Sequence, residues 1–99
     1  MKPKLFILSM PFEDGPDTTW ICSHCAMIEG ALLFNPHWQQ HVDIQRISFE
    51  KPRQDVVDIL GEQNQWLPVL ILTKQEFITD PVAIINYLAS EYGGAAAHP

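Results

Sequence analysis

Apolar positions along the chain fall into short segments that alternate between strand-like and helix-like patterns. Compact apolar or β-branched runs predict strands, whereas apolar residues spaced three and four apart predict amphipathic helices. Strands that are joined through helices favour parallel pairing, which we expect among the first three strands. The pattern predicts an α/β fold with the order β-α-β-α-β-β-α, the elements lying at positions 4–9, 25–34, 42–49, 53–60, 69–73, 76–79 and 80–93.

Proline, glycine and aspartate residues mark the ends of two predicted helices. Pro52 precedes the second helix and Gly61 follows it, which is the usual asymmetry of helix ends. Asp80 is suited to cap the last helix, with Pro81 in its first turn and Gly93 at its end. These signals support the boundaries that the apolar pattern indicates.

The chain has 99 residues, which predicts one domain. We assign this domain to residues 1–93 and expect residues 94–99, GAAAHP, to form a flexible tail. The segment 10–20 carries two prolines, a glycine and three acidic residues, so it is predicted as a loop.

The charge balance is acidic, with 12 Asp and Glu against 6 Lys and Arg. A net charge of -6 argues against nucleic acids or anionic membranes as partners, because both bind through basic surfaces. The apolar runs are too short to cross a bilayer, and the N-terminal one is shorter than the core of a signal peptide. We therefore expect a cytoplasmic protein whose cysteines rest as thiols.

The candidate chemistry lies in the segment WICSHC, at positions 20–25. Cys22 just before a helix would be exposed to the partial positive charge and free N–H groups of the helix N-terminus, which stabilise a thiolate. Cys22 would then attack a disulfide, and Cys25, one turn further and buried, would resolve the mixed disulfide. His24 would stabilise the Cys22 thiolate further. This hypothesis describes a thiol–disulfide oxidoreductase that needs no cofactor. The rival hypothesis is a non-enzymatic interaction module with two inert cysteines.

A zinc-stabilised domain is a second alternative. Cys22 and Cys25 are followed after eleven residues by His37 and His41, a spacing close to that of Cys2His2 zinc sites. In such sites both histidines share one helix, and Pro36 is expected to end the helix before His37. We therefore predict no metal site and interpret the two histidines as exposed loop residues.

The element order, the Cys-x-x-Cys at the first strand-to-helix junction and Leu67-Pro68 before the third strand together resemble the thioredoxin-like superfamily. The resemblance covers about positions 4–92 and is closest to an uncharacterised bacterial family of small thioredoxin-like proteins. It implies a four-stranded mixed sheet with helices on both faces and a cis Leu67–Pro68 bond facing the dithiol. Leu67 and Pro68, with Trp20, would then bind the substrate, the Leu67 backbone pairing with an extended chain.

The last helix, AIINYLASEY, resembles the final helix of glutaredoxins and of glutathione-transferase N-terminal domains. In those domains the hydroxyl and the backbone N–H of a Ser at the helix start hold the γ-glutamyl carboxylate. In this chain Asp80 stands where those domains have the preceding Glu, but Pro81 replaces the Ser, and proline offers neither a hydroxyl nor an N–H. Glutathione is therefore disfavoured, and the expected partner is another protein or small-molecule disulfide or thiol. Arg53, at the start of the second helix, is interpreted as a solvated residue rather than an anion contact.

Overall fold

The computed structural model describes residues 2–99 and contains a four-stranded mixed sheet. Its strands lie in the order β4 (Asp43–Ile47), β1 (Lys4–Leu8), β5 (Val69–Ile71) and β6 (Phe77–Ile78), which confirms the predicted fold class. β1 pairs in parallel with β4 and antiparallel with β5, and β6 pairs antiparallel with β5.

Helices cover both faces of this sheet. The three are α1 (Ser23–Phe34), α2 (Gln54–Leu60) and α3 (Pro81–Tyr92). Successive side chains of β1 point to opposite faces. Leu5 and Ile7 pack into a core with residues of α1 and α3, whereas Phe6 packs with Val56 of α2. The continuous apolar run of β1 is therefore explained by burial on both sides, and the predicted two-sided covering is confirmed.

The third strand of the sheet runs against the predicted direction. Parallel pairing among the first three strands is wrong for β5, which lies antiparallel to β1 with Val69 opposite Phe6. α2 has only seven residues, about 10 Å of helix, and the loop 61–68 follows it. After this connection β5 begins at the end of the sheet at which β1 ends. Leu67 and Pro68 consequently lie at that end.

The segment 10–20, predicted as a loop, contains a small hairpin. β2 (Phe12–Glu13) pairs antiparallel with β3 (Thr19–Trp20). The indole N–H of Trp20 donates to the carbonyl of Asp14 at 2.9 Å, which fixes the ring against the hairpin. The segments FE and TW contain no compact apolar run, so the sequence pattern does not reveal these two strands.

α1 ends at Phe34, as Pro36 predicts, and Pro36 itself opens a 3-10 helix (Pro36–Gln40) that the pattern did not predict. This turn buries Trp38 completely. The Trp38 indole N–H donates to the carbonyl of Gly93, at the end of α3, at 2.8 Å. Trp38 therefore joins the end of α1 to the end of α3 through both packing and a hydrogen bond.

The predicted ends of α3 are confirmed. The Asp80 carboxylate accepts the N–H of Ala83 at 2.9 Å, and Pro81 occupies the first turn. Gly93 has φ +77°, a left-handed conformation that suits glycine at a helix end. With twelve residues each, α1 and α3 are the longest helices among residues 2–99, and neither has the length and hydrophobicity to cross a bilayer.

The C-terminal residues lie against the helices. The N–H of Ala95 donates to Asn35 Oδ1 at 2.8 Å, and Asn35 Nδ2 donates back to the Ala95 carbonyl at 3.3 Å. The N–H of Ala97 donates to Asn86 Oδ1 at 3.1 Å. Residues 95–97 are therefore held against the end of α1 and against α3. The flexibility of residues 94–99 in solution stays a prediction.

Replacing Trp38 with alanine is expected to lower the free energy of unfolding by about 3–5 kcal/mol, because a fully buried indole and its hydrogen bond are lost. Urea denaturation measures this change. Trp66→Ala is the matched control, since Trp66 is 65% exposed and its loss is expected to change stability by less than about 0.5 kcal/mol. Equal losses in both variants would contradict the assignment of Trp38 to the core.

Candidate dithiol site

Cys22 is the N-cap residue of α1, at the end of the sheet where β1 ends. Its backbone is extended, with φ −85° and ψ 118°, and its Sγ accepts the N–H of Cys25 at 3.3 Å. Ser, Thr, Asp and Asn usually fill this role, because a side-chain acceptor satisfies a free N–H of the first turn. A sulfur in this position faces the positive end of the helix, which favours a negatively charged thiolate. Cys22, predicted as exposed, is half-buried.

Cys25 is completely buried, and its Sγ accepts the N–H of Leu8, the last residue of β1, at 3.4 Å. Burial raises the pKa of the Cys25 thiol to about 12, because a thiolate there would lose its hydration. The Leu8 N–H acts in the opposite direction, and the neighbouring Cys22 and Glu29 raise the pKa further. Cys25 is therefore a protonated thiol at neutral pH, and the two cysteines have different environments.

The side chain of Met10 binds the backbone of Cys22. The N–H of Cys22 donates to Met10 Sδ at 3.2 Å. This contact joins the segment after β1 to Cys22, the residue that caps α1, and so holds the backbone of Cys22 in place. The sequence has no pattern that identifies Met10 as part of the site, because a single methionine in a polar segment gives no spacing signal.

His24 and Trp20 flank the dithiol on the surface. His24 is exposed in the first turn of α1, and its ring makes no hydrogen bond among residues 2–99. Trp20 is 51% exposed although its indole N–H is held by Asp14. Ile21 and Trp66 are also largely exposed. Cys22 therefore directly follows two exposed apolar residues, Trp20 and Ile21.

Leu67 and Pro68 come directly before β5, and the peptide bond between them is cis, as predicted. Pro68 is buried. Leu67 is half-buried and packs against the same core cluster as Cys22 and Cys25. The reversed direction of β5 therefore brings the predicted substrate-binding segment and the dithiol to one end of the sheet. Their role in binding stays a prediction.

Arg53 is the residue of this region that sequence reasoning missed. The interpretation of Arg53 as a solvated residue is wrong, because only 9% of it is exposed. Its Nε and Nη2 donate to the carbonyl of Phe49 at 3.1 and 2.7 Å, and its Nη1 donates to the carbonyl of Gln65 at 2.7 Å. Burial lowers the pKa of the Arg53 guanidinium, and the charges of Cys25 and Cys22 oppose this shift. A cation at the N-terminus of a helix, the unfavourable end, was the signal available in the sequence.

The four residues of the zinc hypothesis are not brought together. α1 has twelve residues, about 18 Å of helix, between Cys22 and the segment with His37 and His41. His37 Nε2 lies 3.0 Å from the Gly93 carbonyl, and the His41 ring stacks on Tyr92 at 4.6 Å. No group of three His, Cys, Asp or Glu side chains within residues 2–99 is arranged to hold a metal ion. The arrangement gives the zinc hypothesis no support.

Comparison with known proteins assigns a family without an activity. A family model described as "Protein of unknown function (DUF3088)" matches residues 2–76, well over half of the chain. The matched region contains both cysteines, Arg53, Leu67 and Pro68. Searches of curated proteins and of solved structures found no match.

The pKa of Cys25 predicts how stability depends on pH. A thiol whose pKa rises on folding stabilises the folded state below its unfolded pKa, and this contribution is lost as the pH rises towards the folded value. Relative to Cys25→Ala, the wild-type free energy of unfolding is expected to be constant below pH 9.0 and to fall between 9.0 and about 12. Urea denaturation of both reduced proteins at a series of pH values measures the difference. A difference that stays constant above pH 9.0 would refute the assignment.

Proposed function

The chain belongs to the DUF3088 family, whose description assigns no activity, and we propose from its own residues that it is a small thiol–disulfide oxidoreductase. One observation carries this proposal. Cys22 Sγ accepts the N–H of Cys25 at the N-terminus of α1, while Cys25 is buried as a thiol directly behind it. A reachable sulfur at a positive helix end, followed by a sheltered one, is the arrangement that ordered dithiol exchange requires.

We further propose that the fold is thioredoxin-like. Three features support this: β1 lies between β4 and β5 in the sheet, the dithiol lies where the chain enters α1, and Pro68 directly precedes β5 at the same end of the sheet. Helices on both faces of the sheet agree with the proposal.

The proposed reaction has two steps. The Cys22 thiolate attacks one sulfur of a substrate disulfide, the substrate S–S bond breaks, and the leaving thiolate takes the electron pair and a proton from water. Cys25 then loses its proton to solvent, and its thiolate attacks Cys22 Sγ and releases the second substrate thiol. The substrate gains two electrons, and the protein is left with a Cys22–Cys25 disulfide. An external thiol reductant restores the dithiol by the reverse exchange.

The substrate that the surface favours is a protein disulfide rather than glutathione. Trp20, Ile21 and Trp66 expose apolar area that a peptide chain can cover. The Asp80 carboxylate is already occupied by the N–H of Ala83, and Pro81 has no N–H to offer to a γ-glutamyl carboxylate. The net charge of -6 is unfavourable for anionic disulfides, for nucleic acids and for anionic membranes. We propose that the protein acts in the cytoplasm.

A non-enzymatic interaction module remains the second candidate, and the same exposed apolar residues favour it. Trp20 and Trp66 are 51% and 65% exposed, and exposed tryptophan side chains often become buried when a partner binds. In this role Cys22 and Cys25 would be inert. Trapping of a mixed disulfide separates the two functions, because a binding module forms none.

The ordered mechanism predicts that only one single mutant accumulates a mixed disulfide. Cys25→Ser is expected to attack hydroxyethyl disulfide through Cys22 and then to remain as an adduct, since the resolving thiol is absent. Cys22→Ser is expected to form no adduct, because Cys25 is buried and protonated. Mass spectrometry of the intact proteins detects the adduct.

The control for this experiment is the double variant Cys22→Ser/Cys25→Ser, which has no thiol. Cys25→Ala repeats the test without burying a hydroxyl group, so a folding defect of the serine variant does not leave the question open. Equal adducts in both single mutants, or none in either, would refute the ordered mechanism. The absence of any adduct would favour the interaction module.

His24 is expected to promote the first step. In the Cys25→Ser background, His24→Ala is expected to slow adduct formation about two- to fivefold, the effect of removing one favourable surface contact to the thiolate. The reduction potential of the dithiol should also become less oxidising in His24→Ala. Ser23→Ala, at the neighbouring exposed position, is the control in the same background and is expected to react at the rate of Cys25→Ser alone. Identical rates in the two variants would remove His24 from the mechanism.

A further inference from the structure

A groove between α1 and α3 holds the chain's own C-terminal segment. Its two helical walls are formed mainly by apolar side chains, those of Met27, Ala31, Phe34, Val82 and Ile85. Residues 95–98 form a third wall, and beside them the groove keeps an open volume of about 410 Å³. Ligand sites in proteins commonly have volumes of this size and mostly apolar walls. None of the residues that line the groove belongs to the dithiol site.

Two asparagine side chains hold the backbone of the C-terminal segment. The Asn35 side chain is 3% exposed; its Oδ1 accepts the N–H of Ala95 at 2.8 Å, and its Nδ2 donates to the Ala95 carbonyl at 3.3 Å. Asn86 Oδ1 accepts the N–H of Ala97 at 3.1 Å. The two bound N–H groups lie two residues apart, which is the repeat of an extended chain. Because only backbone atoms are bound, these contacts suit any extended segment that lacks proline at the two positions.

The segment enters the groove at a position that only glycine fits. Gly94 has φ +106°, a conformation that other residues rarely adopt. A Cβ atom at Gly94 would overlap with Oδ1 of Asn35 and would lie 2.9 Å from Cε1 of His37. The docking of residues 95–97 therefore requires the absence of a side chain at position 94, and a substitution there displaces the segment from Asn35.

The side chains of the docked segment are too small to fill the groove. Residues 95–97 are all alanine, and Ala95 and Ala96 remain exposed. In the α1 wall Phe34 is 79% exposed, and Met27 is exposed as well. Among the described residues, no Asp, Glu, Lys or Arg lines the groove. A larger apolar side chain at one of the alanine positions would therefore bury more apolar area without taking a charge out of water.

We propose that the groove between α1 and α3 is the docking site for an extended, uncharged segment of a partner protein that carries a bulky apolar side chain. In the absence of this partner, the chain's own residues 94–97 occupy the site. Their short linkage to α3 gives them an effective concentration in the millimolar range. The same segment of a second copy would lose this advantage and gain no new contact, so exchange between copies is not favoured. A partner segment with a bulky side chain gains the contacts with Phe34 and Met27 that alanine leaves unmade.

Fluorescence anisotropy of dye-labelled peptides, titrated with the full chain, tests this docking. The peptides have the sequence of residues 93–99, either unchanged or with one of the substitutions Ala95→Leu, Ala96→Leu and Ala97→Leu. They are offered to wild type and to Gly94→Ala, in which the chain's own segment is displaced. Gly15→Ala is the matched control, because Gly15 also has a positive φ, +92°, but a Cβ there meets no atom within 4 Å.

At least one leucine peptide is expected to bind about tenfold or more tightly than the unchanged peptide, because a leucine side chain buries more apolar area than alanine. Gly94→Ala is expected to bind this peptide at least about threefold more tightly than wild type does, since the competing segment has left the groove. Gly15→Ala should match wild type. Met27→Glu places a charge in the groove wall and should weaken binding about tenfold or more. Leu33→Glu, an exposed position of α1 outside the groove, should not.

If Gly94→Ala does not fold, Ala95→Pro replaces it, since proline has no N–H to donate to Asn35. The proposal is overturned if no leucine peptide binds the displaced variant more tightly than the unchanged peptide does. Equal binding to Met27→Glu and Leu33→Glu would also overturn it, because the peptide would then lie elsewhere. A wild type that is dimeric by size-exclusion chromatography, with a monomeric Gly94→Ala, would assign the groove to a second copy instead. Peptide binding is measured without any disulfide, so its outcome is independent of the oxidoreductase function.

Discussion

A hydrogen bond joins the backbone N–H of Leu8, the last residue of β1, to the sulfur atom of Cys25, and much of the structure depends on this contact. The N–H of Leu8 donates to Cys25 Sγ, which couples the central strand of the sheet to the first turn of α1. β1 is covered by α1 and α3 on one face and by α2 on the other, so its direction and position are determined by the core. Cys25 is buried against this strand, and Cys22 lies at the helix N-terminus in front of it.

This arrangement gives two identical side chains different chemistry. Cys22 accepts an N–H at a positive helix end and is partly open to solvent, whereas Cys25 has lost its contact with water. Desolvation is the main reason that the pKa of Cys25 is about 12. The two cysteines differ because they lie three positions apart at the start of α1, which places Cys22 at the helix end and Cys25 in the core.

Much of the fold could be predicted from the sequence, because its main strands are compact apolar or β-branched runs and its helices have apolar residues three and four apart. The four main strands, the three α-helices and the cap of Asp80 on α3 were identified in this way. The hairpin β2–β3 and the 3-10 helix at Pro36 were not predicted, because their segments FE, TW and PHWQQ contain no compact apolar or β-branched run. Trp38 lies in such a short element and is nevertheless completely buried.

The sequence by itself determined which residues could carry the chemistry. Two cysteines separated by two residues at a strand-to-helix junction, and a Leu-Pro pair before a later strand, are local features that need no coordinates. Only the tertiary structure decided how they meet. The short α2 and the loop 61–68 reverse β5, and this reversal brings Leu67 and Pro68 to the end of the sheet at which the dithiol lies. The burial of Arg53 was likewise decided by contacts with Phe49 and Gln65, because the environment of a charge depends on segments that are distant in the sequence.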